Sequence, residues 1–498
     1  MAARGCHRPG AAAGHARSRR MAPDRRRRPY ASRTPVNEPH IAIPPGDEIA
    51  PPASRRHLHA ARPAVPPLPE DRQGFRAVLR RGDFRLLWLA QAASQLADKF
   101  LMFTLLIVVY DVSRKASIQS VLMIAYTLPS VFLSAPAGVY ADRHDKRTLM
   151  IATNAIRGGL ILLIPIVQVL PVVGNQAWPL IVITFLFSSV GQLFAPAEAA
   201  SIPSLVRRDQ IMGATSLFMT TVILTLVLGV PAATLAIRLV GERAPFFIAS
   251  TLFALAAISI WRIGTPLRAA RTAPEHTASL RRELREGISL IAGNPAIRLG
   301  LYQLAVALIV VFTVFALGPV FMVKELHRSD QDTYLVLIPA TLGLVTMAAV
   351  LAQRAGNGFS KAVTLVIALA VAGASLAAVG VTPPLFRSLG ADGAIVPMVL
   401  VLSAVFGGAL GALLIPAFTI LQERTNEETR GRIFGGIFAV INAAVALPLL
   451  VAGIIADAVG VASVVAGLGV IILAGAFVVR LAFWRRLAIL DTELSAAD

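Results

Sequence analysis

The chain has 498 residues, of which 56% are hydrophobic and 15% are charged, and its mean hydropathy is +0.68. A soluble globular chain is roughly one quarter charged, so this composition excludes a water-soluble multidomain enzyme and a fully disordered chain, and it indicates a protein whose solvent is mostly lipid. The net charge of +19 would suggest a nucleic-acid partner for a soluble protein, but the basic residues lie in one tail and in short joints between apolar stretches, so we expect no nucleic-acid binding.

Residues 1–80 form a basic, proline-rich segment ahead of the first apolar stretch. They hold sixteen Arg, no Lys, thirteen Pro and six acidic residues, and they lack the apolar core of a secretory signal. Because such a segment cannot bury enough apolar surface, we predict a disordered cytoplasmic tail. The tail either lies on anionic lipid or is dispensable, since translation could also begin at Met21. The sole cysteine, Cys6, lies in this tail, which excludes an intrachain disulfide and a cysteine zinc site.

Twelve apolar stretches follow the tail, and each is long enough to span a membrane as a helix of about 20 residues. They cover residues 84–110, 118–140, 149–170, 178–200, 211–239, 245–261, 299–323, 334–352, 362–381, 395–421, 433–455 and 461–484. We therefore predict an all-α membrane protein with twelve transmembrane helices in two six-helix bundles. The predicted units are an N-terminal bundle over 81–261, a cytoplasmic linker over 262–298, a C-terminal bundle over 299–486 and a tail over 487–498. The joint between the ninth and tenth spans is predicted over residues 382–393.

The distribution of Lys and Arg supports this count. With the amino terminus in the cytoplasm, the joints expected there hold seventeen Lys and Arg, and the opposite joints hold seven. Cytoplasmic joints of membrane proteins are enriched in these residues, so both termini are expected in the cytoplasm. The linker also carries apolar residues at helical spacing, which predicts a short amphipathic helix on the membrane surface. These are Leu280, Leu284, Ile288 and Ile291.

The joint after the second span carries a recognisable pattern: Gly138, then Asp142-Arg143, then Lys146-Arg147. It resembles the signature loop of the major facilitator superfamily, G-x-x-x-D-R-x-G-R-R, and departs from it at Asp145, where the family has Gly. Twelve spans and a long central joint agree with that family. The resemblance implies the major facilitator fold, in a bacterial inner-membrane transporter that works by alternating access.

Other segments resemble the branch of this superfamily that includes the enterobactin exporter and macrolide and tetracycline efflux pumps. They are residues 194–206, 284–288, 422–424 and 431–435, and the resemblance covers about residues 76–490. In the superfamily the acid of the signature loop latches the two halves together, so the resemblance implies this role for Asp142, with Arg143 or the start of the eleventh span near Arg432 as its partner. Gly138 is expected to allow close helix approach. The alternative is that residues 142–147 act only as a topological stop signal.

Polar residues line one face of the first span, where an ionisable group is costly unless it is paired or functional. They follow steps of three and four residues: Gln91, Ser94, Gln95 and Asp98. We expect this face to point at a central cavity. Asp98 is the candidate to bind a coupling proton or a cationic substrate group, and Gln91, Gln95 and Arg157 of the third span are further candidates. The alternative is a fixed ion pair of Asp98 with Arg157 or Lys99.

Single polar residues in the other spans are predicted to form hydrogen bonds between helices or to cap helix ends. They are Glu198, Gln303, Asn442 and Asp457. Gly407 and Gly411 form a small-xxx-small pair, which predicts close packing of the tenth span on a neighbour.

The sequence lacks G-x-x-x-x-G-K-[ST], H-E-x-x-H and G-x-S-x-G motifs, so we expect neither ATP hydrolysis nor covalent catalysis, and no cofactor or metal. We expect a monomeric secondary transporter in membrane lipid that exports a hydrophobic or amphipathic small molecule in exchange for protons. An uptake permease and a lysophospholipid-flipping carrier are alternatives on the same fold. A third alternative is a non-transporting scaffold, which has no need to bury Asp98 and Arg157.

Overall fold

The computed structural model describes residues 75–171, 173–267, 295–354, 361–423 and 427–495, and every regular element in these ranges is helical. The N-terminal helices are α1 (Phe75–Leu79), α2 (Gly82–Ser113), α3 (Ala116–Arg143), α4 (Lys146–Val169), α5 (Trp178–Gly191), α6 (Phe194–Leu205), α7 (Ile211–Val240) and α8 (Ala244–Trp261). The C-terminal helices are α9 (Pro295–Lys324), α10 (Tyr334–Arg354), α11 (Lys361–Ser388), α12 (Ile395–Glu423), α13 (Glu427–Val459) and α14 (Val461–Ser495). Short 3₁₀ helices cover Arg208–Gln210, Asp330–Thr333 and Asp392–Ala394.

Ten helical segments of the described residues are long and apolar enough to cross a membrane. Shorter apolar stretches, Pro231–Val240 and Ala443–Val459, lie in α7 and α13. Large apolar side chains such as Phe132, Leu239 and Trp261 are exposed on the outside of the helices. Water-soluble proteins rarely expose such extended apolar surface, so the chain is a multi-pass membrane protein.

Tight turns give the helices two common ends. His144 and Asp145 join α3 to α4, and we call their end of the molecule the motif end. Arg114 and Lys115 join α2 to α3 at the opposite end, where Arg114 adopts a left-handed φ of 53° and its amide donates to the Tyr110 carbonyl over 2.7 Å. Gly460 is the only residue between α13 and α14, and its φ of 92° favours glycine.

Within each group of helices, particular pairs of helices pack closely together. In the N-terminal helices, α8 packs against both α2 and α4. In the C-terminal helices, α10 packs on α12 and α11 on α14. A Cβ on Gly407 would overlap the backbone of Ala340, and one on Gly411 would lie 3.1 Å from the Leu344 carbonyl oxygen. The predicted close packing at this glycine pair is confirmed.

The two predicted tails are shorter than expected where the structure describes them. Residues 75–79 of the predicted N-terminal tail form α1, because Val78 is buried among apolar side chains of neighbouring helices. Most of the predicted C-terminal tail continues α14 to Ser495, since residues 487–495 contain neither Gly nor Pro. Residues 1–74, and the predicted amphipathic helix over 280–291, lie outside the described residues.

Three predicted span boundaries need correction. The fourth span is interrupted at Gln192 and Leu193, where α5 ends and α6 begins. The predicted joint over 382–393 begins only after Ser388, because α11 continues through Pro383 and Pro384. In lipid, a helix is the way a segment satisfies its own backbone groups, which favours this continuation. The eleventh span begins at Glu427, earlier than the predicted residue 433.

Candidate functional site: a buried ion cluster, the signature loop and an apolar cavity

A buried ion cluster lies between α2, α3 and α4. Asp98 and Arg157 are only 8% and 7% exposed, and Arg157 Nη2 donates to Asp98 Oδ1. The hydroxyl of Tyr126 donates to Asp98 Oδ2, and the Lys99 ammonium donates to the same oxygen over 3.2 Å. Three donors therefore satisfy one carboxylate. This geometry favours a fixed pair of Asp98 with both predicted cations.

Two aromatic rings enclose the guanidinium of Arg157. Its Cζ lies 4.1 Å from the ring centre of Phe187 in α5 and 4.6 Å from that of Phe253 in α8. A Cβ on Gly191 would come within 3.3 Å of the same Cζ, so glycine leaves room for the group. Guanidinium is weakly hydrated and stacks well on aromatic faces. The rings therefore stabilise a cation that would otherwise be costly to bury.

The other polar residues of the first span contact helices of their own group. Gln91 is buried, and its Nε2 donates to the Phe218 carbonyl of α7 over 3.3 Å. Ser94 Oγ donates to Asn154 Oδ1 of α4 over 3.0 Å. Gln95 is half-buried. The described contacts of Gln91, Ser94 and Asp98 thus lie inside the N-terminal helices.

The signature loop is anchored to the end of α8. Asp145, where the sequence departs from the family pattern, caps α4 by accepting from the Thr148 amide over 3.0 Å. The Lys146 amide donates to the Leu267 carbonyl over 3.3 Å, and Arg147 Nη2 donates to the Trp261 carbonyl. A cation at the carboxyl end of a helix is favourable for the helix dipole. The basic part of the loop therefore joins α4 to α8.

The acidic part of the loop is exposed. Asp142 and Arg143 are both exposed, and no described atom lies within 4 Å of a Cβ built on Gly138. The side chain of Arg432 lies outside the described residues. The helix start predicted near Arg432 lies at Glu427 instead, so Arg432 is more than one turn inside α13. A latch between Asp142 and α13 would need the side chain of Arg432 as the partner of the carboxylate.

The structure adds an unpredicted contact between the two groups of helices at the opposite end. Asp457, near the carboxyl end of α13, accepts from the backbone amides of Ala116 and Ser117 at the start of α3, over 2.8 and 3.0 Å. A Cβ on Gly453 would overlap the Ser120 hydroxyl, so the two helices touch here. Sequence reasoning predicted an end cap for Asp457 but not its partner. The signal was present, since an acid near a helix carboxyl end is unfavourable without a donor.

Further polar contacts join the N-terminal and C-terminal helices at the opposite end. Gln331 Nε2, in the 3₁₀ helix Asp330–Thr333, donates to Glu242 Oε1 over 2.8 Å. Arg238 of α7 lies 3.8 Å from Asp332. The N-terminal and C-terminal helices are therefore held together by polar contacts at the opposite end in this conformation.

An apolar cavity of about 150 Å³ lies among the C-terminal helices and reaches α2. Its wall includes Phe315, Phe406 and Leu410, with Ser403 as one of few polar residues, and Phe103 of α2 closes one side. The rings of Phe103 and Phe315 meet edge to face with centres 4.8 Å apart. The cavity can enclose an apolar group at the contact between the two groups of helices.

Comparison with known proteins identifies the family to which this chain belongs. A sequence model described as Major Facilitator Superfamily matches residues 87–396, more than half of the chain. The chain belongs to the Major Facilitator Superfamily. Its matched residues include the signature loop and all four members of the ion cluster.

Relatives within the Major Facilitator Superfamily include named efflux proteins. The chain is 26% identical to the multidrug efflux pump Tap of Mycobacterium tuberculosis over 74% of this chain and 86% of that protein. It is 22% identical to macrolide efflux protein A of Streptococcus pyogenes over 76% and 90%. A crystal structure of a POT family transporter in complex with 5-aminolevulinic acid superposes with a TM-score of 0.61 at 13% identity, over 81% of this chain and 96% of that one. This likeness shows the shared fold.

Proposed function

We propose that this chain exports hydrophobic or amphipathic small molecules across a bacterial inner membrane in exchange for protons. Twelve spans form two six-helix bundles, residues 81–261 and 299–486, with both termini in the cytoplasm. The bundles open alternately to the two sides of the membrane, as inverted-repeat transporters do. The protein works as a monomer. Relatives named as multidrug and macrolide efflux proteins support the export direction.

The apolar cavity is the observation that carries this proposal. A cavity of about 150 Å³ with an aliphatic and aromatic wall binds a benzene ring in other proteins. Here a cavity of that size is lined largely by apolar side chains. It accommodates one aromatic ring or short alkyl group of a larger cargo. The cavity therefore selects for apolar character more than for a particular shape.

The ion cluster and one wall residue of the cavity lie on the same helix, α2. Phe103 on the cavity wall follows Asp98 by five residues on α2, which is about 8 Å along a helix. Gln91, Gln95, Asp98 and Arg157 thus form a polar region on the N-terminal side of an apolar one. An amphipathic molecule has both characters. The arrangement suits cargo with an apolar body and a polar end.

The signature loop forms the latch at the motif end. Asp142 and Arg143 are exposed there, and Arg432 on α13 is the partner that we propose for Asp142 when that end closes. Lys146 and Arg147 fix the loop to α8, and Gly138 leaves the surface of α3 open to a neighbour. Contacts at the opposite end break when the motif end closes. The two ends then alternate.

A susceptibility panel of cells with and without the gene tests the proposal. Cells producing the wild-type chain should tolerate lipophilic aromatic drugs, including macrolides and ethidium, at concentrations at least fourfold higher than cells lacking it. Ser403→Phe fills the cavity and should abolish this difference. Thr346→Phe is the matched control, because both hydroxyls bond the carbonyl four residues earlier over 2.7 Å but Thr346 is exposed on α10.

Three outcomes contradict the proposal or its parts. Equal tolerance with and without the gene, for every compound of the panel, would contradict export of such molecules. Lower tolerance in producing cells would instead indicate uptake by the same fold. Equal loss of tolerance in both Phe variants would show that the cavity is not the site.

A further inference from the structure

A second buried acid, Glu198, stands apart from the ion cluster. It lies on α6, is 7% exposed, and its Oε1 has no hydrogen-bond partner. Phe194 and Ile202, four residues to either side on the same face of α6, belong to an apolar cluster. The sequence predicted a hydrogen bond or cap for Glu198, and the structure provides none for this oxygen.

Charged groups on the helices around α6 do not neutralise Glu198. That helix packs against α2, α3, α4, α5 and α7. Their interior ionisable groups, Asp98, Lys99, Tyr126 and Arg157, bond to one another. The remaining charged groups of the described parts of these helices lie near helix ends: Asp83, Arg85, Asp111, Asp142, Arg143, Lys146, Arg147 and Arg238. The Glu198 carboxyl therefore experiences burial without a compensating charge.

An unpaired carboxylate in such a place is costly, whereas a neutral carboxylic acid is much less so. The group consequently binds a proton whenever it is enclosed as it is here. Asp98 differs, because three donors stabilise its ionised form. The two buried acids of the N-terminal helices thus differ in their surroundings: three donors stabilise the charge of Asp98, and Oε1 of Glu198 has no partner. Of these two acids, Glu198 is the one whose protonation would change when its surroundings change.

Further buried polar atoms lack partners on neighbouring helices. They include Oε1 of Gln91 on α2 and Nδ2 of Asn154 on α4. Most buried polar atoms in proteins are hydrogen-bonded. The interior around Glu198 thus has other polar atoms that could bond to a partner if the helices shifted.

A hydrogen-bonded turn joins α5 to α6 within one apolar segment, Trp178–Leu205. α6 is a separate helix of 12 residues, joined to α5 through Gln192 and Leu193. Gly191, just before the break, contacts Arg157 of the ion cluster. A change in the angle between α5 and α6 would move Glu198 relative to the cluster.

We propose that Glu198 carries the coupling proton. Its carboxylate binds one proton from the side of higher acidity, crosses the enclosed state as a neutral acid, and releases the same proton to the other side. One proton enters and one leaves per cycle, and no covalent bond of the substrate changes. This inference rests on the proposed function, and it assigns the proton to a residue other than Asp98.

Infrared spectroscopy of the purified full chain in lipid tests the protonation state without any substrate. At neutral pH the wild-type chain should show the C=O stretching band of a protonated carboxyl group. The band should disappear in Glu198→Gln and persist in both Asp98→Asn and Glu325→Gln. An unchanged band in Glu198→Gln, or no band in the wild-type chain, would overturn the assignment.

Transport in liposomes tests the coupling, with ethidium as the probe. An imposed proton gradient should drive ethidium accumulation by the wild-type chain and by Glu198→Asp. Glu198→Gln should lose this accumulation at least tenfold but retain ethidium exchange without a gradient within about twofold. Glu325→Gln is the matched control, because Arg387 also donates to the backbone carbonyl of residue 325 and holds the site.

The outcomes distinguish a failure of the role of Glu198 from a failure of the proposed export. Gradient-driven accumulation by Glu198→Gln at the wild-type rate would overturn the role of Glu198 and leave the proposed export intact. Loss of both accumulation and exchange in Glu198→Gln would overturn a role specific to the proton. Ethidium movement by the wild-type chain without proton movement would overturn the coupling role as well. A wild-type chain that moves no ethidium at all would contradict the proposed function itself.

Discussion

Replacing Arg157 with Leu removes the guanidinium that pairs with Asp98 and leaves that carboxylate with Lys99 and Tyr126. The side chains of Arg157 and Asp98 are only 9% and 12% exposed, so little solvent screens them. Breaking a buried ion pair by removing one partner costs roughly 3–5 kcal/mol. The lost contact with two aromatic rings is worth about 1 kcal/mol for each ring and overlaps with that figure. We expect Arg157→Leu to lower the free energy of unfolding by about 3–5 kcal/mol.

A double-mutant cycle shows whether the pair itself is responsible. Asp98→Asn alone leaves Arg157 buried without its partner, so its cost should be similar. The double variant removes both charges of the pair, and we expect a favourable coupling of about 2 kcal/mol relative to the sum of the single effects. Asp111→Asn on the same helix is the matched control. It loses a partly exposed ion pair with Arg114, worth roughly 0–1 kcal/mol.

Equilibrium unfolding in mixed micelles of detergent and sodium dodecyl sulfate, followed by circular dichroism, measures these energies. Single effects below about 1 kcal/mol, or effects that simply add in the double variant, would refute the fixed-pair interpretation. Ethidium transport by the double variant adds a second readout. We expect this transport to be slower, because Asp98 and Arg157 belong to the polar region proposed for the cargo, and to remain gradient-driven, because Glu198 carries the proton. A stable double variant that still exchanges ethidium but no longer responds to the gradient would place the proton at Asp98 instead.

Two further perturbations test the packing between helices. Asp457→Ala removes a cap worth about 1 kcal/mol, so it should raise the fraction of molecules with the opposite end open roughly fivefold. Thiol labelling at Ser120→Cys measures this fraction. Asp392 is exposed at the same end, and Asp392→Ala should leave the fraction unchanged. Gly407→Ala should greatly reduce the yield of folded protein in gel filtration because its Cβ would overlap a backbone, whereas Gly467→Ala has open space and should purify normally. Normal yield of Gly407→Ala would contradict the close packing.

Most of the helix positions follow from the sequence because lipid leaves few alternatives. A long apolar stretch must satisfy its backbone internally, so length and hydropathy locate the spans within a few residues. The interruption of the fourth span was missed, although Pro196 marks it. Proline lacks an amide hydrogen and is tolerated in the first turn of a helix, where Pro196 lies in α6. A continuous hydropathy signal concealed this local one.

The ion cluster was predictable in part. Spacing on one helix identified Asp98, and Arg157 was a cation in the interior of the third span, so their pairing was one of two stated alternatives. The rings of Phe187 and Phe253 were not predictable, because they come from α5 and α8 and meet only in the folded chain. Long-range contacts leave no periodic pattern. For the same reason, the sequence could not show that Oε1 of Glu198 has no hydrogen-bond partner.

Distance measurements between paired spin labels test alternating access most directly. With Cys6 replaced by Ser, one pair would join Lys115 to Val459 across the opposite end, and another would join His144 to Val363 across the motif end; all four residues are exposed. On a change from neutral to acidic pH in lipid, alternating access predicts that the distance of one pair increases while that of the other decreases. Distances that stay constant, or that change in the same direction at both ends, would contradict alternating access.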